Sequence, residues 1–174
     1  AAIHAVHARA IRGTAGHYTR DEREAWVGGR TPESYLAAIS GRHVVIAETG
    51  DVPPRLLGFG QLLPQEGLIE AVYVDPDARR RGIGAALVEA LEREARLRGA
   101  PTLSLDASLN SVPFYRALGF AVVAAAQHAL APLLERGFEC LGRVEAARAR
   151  EPQQRVRAPW QRVDLALVLH LQPV

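Results

Sequence analysis

An α/β domain, with a mixed and mainly antiparallel sheet flanked by helices, is predicted by three observations. The apolar runs HVVIAE, LLGFGQLL and LIEAVYV follow one another with turn residues between them. A long stretch with apolar residues at every fourth position comes next, and the alternating run TLSLDAS follows it. Short turns join antiparallel strands, whereas a strand, helix, strand order needs a parallel crossover, so the sheet is mixed. At 174 residues, 48% of them hydrophobic, the chain suits one core rather than two, and a single domain over 1–174 is expected.

The N-terminal 40 residues read as helices. Ile3, Val6, Ala10 and Ile11 share one helical face, a second segment surrounds Glu22 and Trp26, and Thr31 with Pro32 makes a helix start before ESYLAAI. Strands are expected over His43–Glu48, Leu56–Leu63 and Leu68–Val74, the first two separated by a Gly-Asp-Val-Pro-Pro turn. Ile83, Leu87, Leu91 and Ala95 then define a strong amphipathic helix that Gly99 closes. Residues 102–108 alternate as a strand, and a short helix over 111–118 ends at Gly119. Beyond Phe120, FAVVAAA and VDLALVLHL read as strands, with an arginine-rich insertion at 129–160 between them.

Composition removes several classes of function. No run of about 18 apolar residues is present, and the N-terminus has histidines and arginines where a signal peptide needs an apolar centre. A cytoplasmic protein with no membrane partner is expected. A single cysteine, Cys140, rules out an internal disulfide and a cysteine-cluster metal site, and no metal is expected. All 21 basic residues are arginine, which removes lysine Schiff-base chemistry. The formal charge of +2 is too mild to argue for nucleic acid, a reading that would rest on Arg79, Arg80 and Arg81 alone.

Those arginines begin the most informative stretch. In VYVDPDARRRGIGAALVEAL, an arginine and glycine loop opens the long helix, whose first N–H groups lack intrahelical partners and therefore suit an anion such as a phosphate. No G-K-[ST] follows, which excludes a nucleoside-triphosphate loop, and the full G-x-G-x-x-G is absent. What fits is R-x-x-G-x-G, placed after the third strand of a hairpin series. With YTRDEREAW, VVIAE, LLGFGQL, EAVYVDPDARRRGIGAALVEALEREA and LDASLNSVPFYRALGF in this order, the sequence resembles the GNAT superfamily of acyl-CoA-dependent N-acetyltransferases from about Ile3 to Phe120.

The resemblance implies a sheet splayed between the fourth and fifth family strands, acetyl-CoA as acyl-donor cosubstrate, and a small-molecule or protein amine as acceptor. By the same resemblance, Arg79, Arg80, Arg81, Gly82, Ile83, Gly84 and Ala85 hold the CoA diphosphate through main-chain amides. Val72, Tyr73 and Val74 offer main-chain groups to the pantetheine arm, with an amide near Val72 or Tyr73 polarising the thioester carbonyl and the side chains serving only packing. Ser108 and Asn110 match polar positions that touch the CoA arm, although Asn110 also suits a helix N-cap.

Direct attack of an amine on a thioester needs one base and one acid. Tyr115 matches the family tyrosine that protonates the CoA sulfur, and its ordinary pKa of about 10 keeps it protonated at neutral pH. Glu70 is the candidate base, standing beside an expected bulge in the third strand; its alternative is an ion pair with an arginine. Tyr18, Trp26 and Tyr35 fall where relatives shape the acceptor pocket, with helix packing as the other reading. Two departures stand out: the chain starts in helix-like sequence where the family usually begins with a strand, and its tail exceeds the usual strand pair. Packing, homodimerisation or covering the acceptor pocket are uses open to that tail. A catalytically silent acyl-CoA-binding module is the competing reading, since it would keep the anion loop without needing Tyr115.

Overall fold

In the computed structural model, the described residues are 1–14, 16–125 and 142–147. Three helices lead: α1 (Ala2–Arg12), α2 (Arg20–Gly28) and α3 (Pro32–Ile39). The sequence fixes where the second and third begin. Thr19 and Glu22 form a reciprocal capping box, as do Thr31 and Ser34, with Pro32 in the first turn of α3. On α1, Val6, Ala10 and Ile11 are buried as their spacing predicts, and His7 and Ala8 join them.

The three apolar runs form β1 (His43–Glu48), β2 (Leu56–Leu63) and β3 (Leu68–Val74), paired antiparallel in sequence order. Helix α4 (Ile83–Leu97) then crosses to β4 (Thr102–Ala107), which runs parallel to β3. Ile83, Leu87 and Leu91 of α4 are almost wholly buried against Val45, Leu57 and Leu62, each such burial worth about 1.5–3 kcal/mol. The opposite face of the sheet carries Phe59, Ala71 and Tyr73, which pack with Val6 of α1 and Tyr35 of α3. Helix α5 (Val112–Ala117) follows β4, and β5 (Ala121–Ala125) follows α5.

The sheet order is β1-β2-β3-β4-β6-β5, where β6 is Gly142–Ala147. This segment falls inside the span 129–160 that the sequence reading assigned to an insertion. Here it pairs antiparallel with both β4 and β5 and so belongs to the sheet. Its sequence, GRVEAA, holds one β-branched residue and two charges, so the pairing partners rather than propensity specify it. The remainder of 129–160, Cys140 and VDLALVLHL lie outside the described residues.

Strands β3 and β4 meet only where Leu68 and Ile69 oppose Ser104 and Leu105; beyond Ile69, β3 has no β4 partner. The sheet therefore opens as a V, which is the expected splay. Gly67 holds its closed end: the Ser104 N–H donates to the Gly67 carbonyl at 2.8 Å. With φ +62, and with the Thr102 carbonyl oxygen 2.0 Å from where a Cβ would stand, only glycine fits there.

Candidate active site

A cavity of about 450 Å³ occupies the V and reaches under α1 and α2. It brings together seven of the residues singled out from sequence: Glu70, Val72, Tyr73, Arg79, Ser108, Asn110 and Tyr115. Trp26 also lines it, whereas Tyr18 and Tyr35 pack behind. The Tyr18 hydroxyl accepts the Leu109 N–H at 2.9 Å, and the Tyr35 hydroxyl shares a 2.6 Å hydrogen bond with His7 Nδ1.

The bulge falls at Glu70. On β2, Gln61 and Leu62 are consecutive, yet they oppose Ala71 and Ile69, so Glu70 is the extra residue of β3. The bulge breaks the simple parity that would group Glu70 with Val72 and Val74. Val72 and Val74 pack against the α4 core, while Glu70 accepts hydrogen bonds from Gln61 Nε2 at 2.9 Å and from Arg42 Nε and Nη2 at 2.5 and 3.0 Å. The arginine partner that the sequence left open is thus Arg42.

Backbone directions along the rest of β3 follow from one bond. The Asp75 N–H donates to the Leu57 carbonyl at 2.8 Å, and strand groups alternate in direction. Tyr73 therefore bonds toward β2, and Val72 and Val74 turn their N–H and C=O groups into the open V. The Tyr73 side chain does more than pack. Its ring stacks on Phe59 with centroids 5.5 Å apart, meets the His7 ring edge-on at 4.4 Å, and its hydroxyl takes a hydrogen bond from Trp26. Burial pushes the Tyr73 pKa well above the phenol value.

Tyr115 sits in the first turns of α5, 6% exposed, with its ring edge against Phe114 and Phe120. Burial raises its pKa far above the ordinary phenol range, so its hydroxyl stays protonated across the working range of an enzyme. Asn110 is not the N-cap of this helix. Ser111 holds that place, and its hydroxyl donates to the Ser108 carbonyl at 2.8 Å, fixing the turn that carries Ser108 and Asn110 into the cavity.

At the other end of β3, Arg79 stands at the start of the loop before α4. Its N–H donates to the Pro76 carbonyl, and its guanidinium donates to the Ala10 carbonyl at 3.0 Å and the Gly13 carbonyl at 3.2 Å. Arg79 thereby caps the C-terminus of α1, where cations are favoured, and the residues that follow it, Arg80, Arg81, Gly82, Ile83, Gly84 and Ala85, are not among those lining the cavity. Among the described residues no backbone hydrogen bond engages the N–H groups of these six, and the first helical bond is Ala86 N–H to Gly82 C=O at 3.0 Å. Gly82 takes a left-handed φ of +79 as the N-cap. Gly84 lies close to α5, since a Cβ there would stand 3.2 Å from Phe114 Cζ.

Three residues in or beside the cavity were not singled out from the sequence. His7, buried on α1, has its pKa lowered to about 4 by burial first and by the nearby Arg30 charge second. Arg30, in the turn between α2 and α3, and Asp106 on β4 both line the cavity. Alternation along TLSLDAS, which buries Leu103 and Leu105, was the available signal for Asp106. No sequence-local signal marks the other two.

The acetyltransferase (GNAT) family profile matches residues 6–120. Among curated proteins, the chain is 30% identical over 121 residues to the uncharacterized N-acetyltransferase YafP of Escherichia coli strain K12, spanning 68% of this chain and 73% of that protein. It spans 37% to 57% of the length of four other N-acetyltransferase relatives. Its structure is similar to a GCN5-related N-acetyltransferase of Rhodopseudomonas palustris, with TM-score 0.72 and 28% identity, covering 83% of this chain and 87% of that one. The same fold occurs in yncA of Salmonella typhimurium, solved with its cofactor acetyl-CoA, at TM-score 0.55 and 20% identity over 89% and 91% of the two chains.

Proposed function

The chain belongs to the GNAT family of N-acetyltransferases, and we propose that it moves the acetyl group of acetyl-CoA to a primary amine by direct attack, without an acyl-enzyme. One juxtaposition carries this reading: the strand edge opened by the V and the buried Tyr115 line one cavity, and Arg79, which also lines it, leads directly into a helix entrance with unbonded amides. These features fit an extended arm ending in a diphosphate. The amides of Arg80 to Ala85 hold the diphosphate, and the outward groups of Val72 and Val74 bond the arm as a strand would.

Acetyl-CoA supplies an activated acyl group on a good leaving sulfur. The residues around it have four tasks. The Val72 N–H, aimed into the V, hydrogen-bonds the thioester oxygen as charge develops there. As the new C–N bond forms and the C–S bond breaks, Tyr115 gives its proton to the departing sulfur and later regains one from solvent. Glu70 receives the amine proton through water; a carboxylate accepts about four hydrogen bonds, and three are in use. Trp26 and Tyr73 wall the side from which the amine approaches.

Release of free CoA thiol in the presence of acetyl-CoA and a panel of primary amines tests the proposal. Acceptor-dependent release, matched mole for mole by acetylated amine, is expected. Tight acetyl-CoA binding without release for any amine would reduce the protein to an acyl-CoA-binding module.

A further inference from the structure

The charged groups that line the cavity are Arg30, Glu70, Arg79 and Asp106. Three have partners within the protein. Glu70 is paired with Arg42 and Gln61, Arg79 is bonded to two carbonyls of the α1 end, and Asp106 has an interaction of its own. Arg30 is different: among the described residues its guanidinium has neither an ion pair nor a hydrogen bond.

Its backbone is nevertheless fixed. The Arg30 N–H donates to the Val27 carbonyl at 3.2 Å, and the Arg30 carbonyl accepts from His4 Nε2 at 3.2 Å. The charge is also felt inside, since it adds to burial in lowering the His7 pKa and acts on Tyr35 and Tyr73. Arg30 therefore projects from the α2–α3 turn, on the sheet face that carries α1 and α3. The amides we assign to the diphosphate begin α4, which packs on the opposite face.

We propose that Arg30 selects the acceptor: the amine substrate carries an anionic group, a carboxylate or a phosphate, which pairs with the Arg30 guanidinium while the amino group faces the thioester. A planar guanidinium binds either anion through two parallel N–H···O bonds, whereas a polycationic acceptor would be repelled. Such a charge-assisted pair corresponds to about 10- to 100-fold in kcat/KM. This inference rests on the acetyl-transfer reading, so its test includes a binding measurement that does not depend on turnover.

Matched acceptors separate the possibilities: O-phosphoethanolamine against ethanolamine for phosphate, β-alanine against β-alaninamide for carboxylate, and putrescine as a dication. Each is measured with wild type, Arg30→Gln and Arg30→Lys, both as kcat/KM and by calorimetric titration into the CoA-loaded protein. The wild type should favour one anionic member over its neutral match by about 10- to 100-fold, and the preferred pair names the anion. Arg30→Gln should erase that preference, Arg30→Lys should retain part of it, and acetyl-CoA affinity should stay within about 2-fold of wild type. Equal treatment of matched pairs, a preference for putrescine, or a preference that survives in Arg30→Gln would overturn the proposal. So would a collapse of acetyl-CoA binding in Arg30→Gln, which would assign the residue to the cofactor. If no amine turns over, Arg30-dependent binding of an anionic member still supports the inference while the transfer reading fails, and Arg30-independent or absent binding overturns it.

Discussion

The Arg79 guanidinium donates to the Gly13 carbonyl at 3.2 Å and, through its other terminal nitrogen, to the Ala10 carbonyl at 3.0 Å. Arg9 returns the link in the opposite direction, from α1 to Asp75 at 3.2 Å and Asp77 at 2.6 Å. Two arginines thus tie the C-terminal turn of α1, which lines the cavity, to the segment that leads into the amide-rich loop.

Arg79→Ala should therefore act on stability first. Loss of two hydrogen bonds from a charged donor is expected to lower the unfolding free energy by about 1–3 kcal/mol, read from urea denaturation. Acetyl-CoA affinity should fall by less than about 10-fold, the effect of one modest interaction. Unchanged stability combined with abolished acetyl-CoA binding would place the guanidinium on the diphosphate instead.

Tyr115→Phe removes one oxygen from a site otherwise filled by aromatic packing. A loss of about 10²- to 10⁴-fold in kcat, with acetyl-CoA affinity nearly intact, is the expected outcome of steady-state kinetics and calorimetry. Because burial holds the Tyr115 pKa far above its ordinary value, the wild-type rate should show no loss of a general acid as pH rises through 9 to 10, roughly where an exposed phenol begins to ionise. A full wild-type kcat in Tyr115→Phe would remove it from proton transfer.

For Glu70→Gln the pH dependence is the informative quantity. An alkyl amine is mostly protonated at pH 7, so losing the base should hurt most there and recover as pH approaches the amine's own pKa of about 10. The neutral amide also breaks the pair with Arg42, so the unfolding free energy should be measured alongside. Parallel pH–rate profiles for wild type and variant would leave Glu70 with a purely structural role.

His7 gives the fold a pH dependence of its own. Its pKa is lowered from 6.5 to about 4 in the folded chain, so the unfolded chain binds more protons between those values. Stability is then fully present above about pH 6.5 and falls as pH drops toward 4, by an amount on the order of a few kcal/mol. Chemical denaturation at several pH values should show that slope in wild type and a shallower one in His7→Gln. An equal slope in both would assign the acid sensitivity elsewhere.

Local pattern made much of this fold legible. The strands over His43–Glu48, Leu56–Leu63 and Leu68–Val74 have the boundaries that their apolar runs and turns imply, and α4 follows its fourfold apolar spacing. Threonine caps and Pro32 placed the start of α3 for the same reason: these signals act within a few residues. What escaped depends on partners far along the chain. The bulge at Glu70 exists only against Gln61 and Leu62, the capping role of Arg79 needs the end of α1, and Arg30 gains its position through α2, α3 and His4. The close approach of Phe114 to Gly84 likewise comes from another helix.

Calorimetric titration of acetyl-CoA into wild type and Gly82→Val, with the fold of each checked by circular dichroism, addresses the central claim most directly. Valine at φ +79 adds a branched side chain at the N-cap of α4, at a strain cost of about 1–2 kcal/mol, and stands in the stretch that we propose receives the diphosphate. Saturable one-site binding by wild type and at least about 10-fold weaker binding by the folded variant are expected, a difference of about 1.4 kcal/mol. Equal affinities in two folded proteins would contradict the siting of acetyl-CoA at this helix entrance.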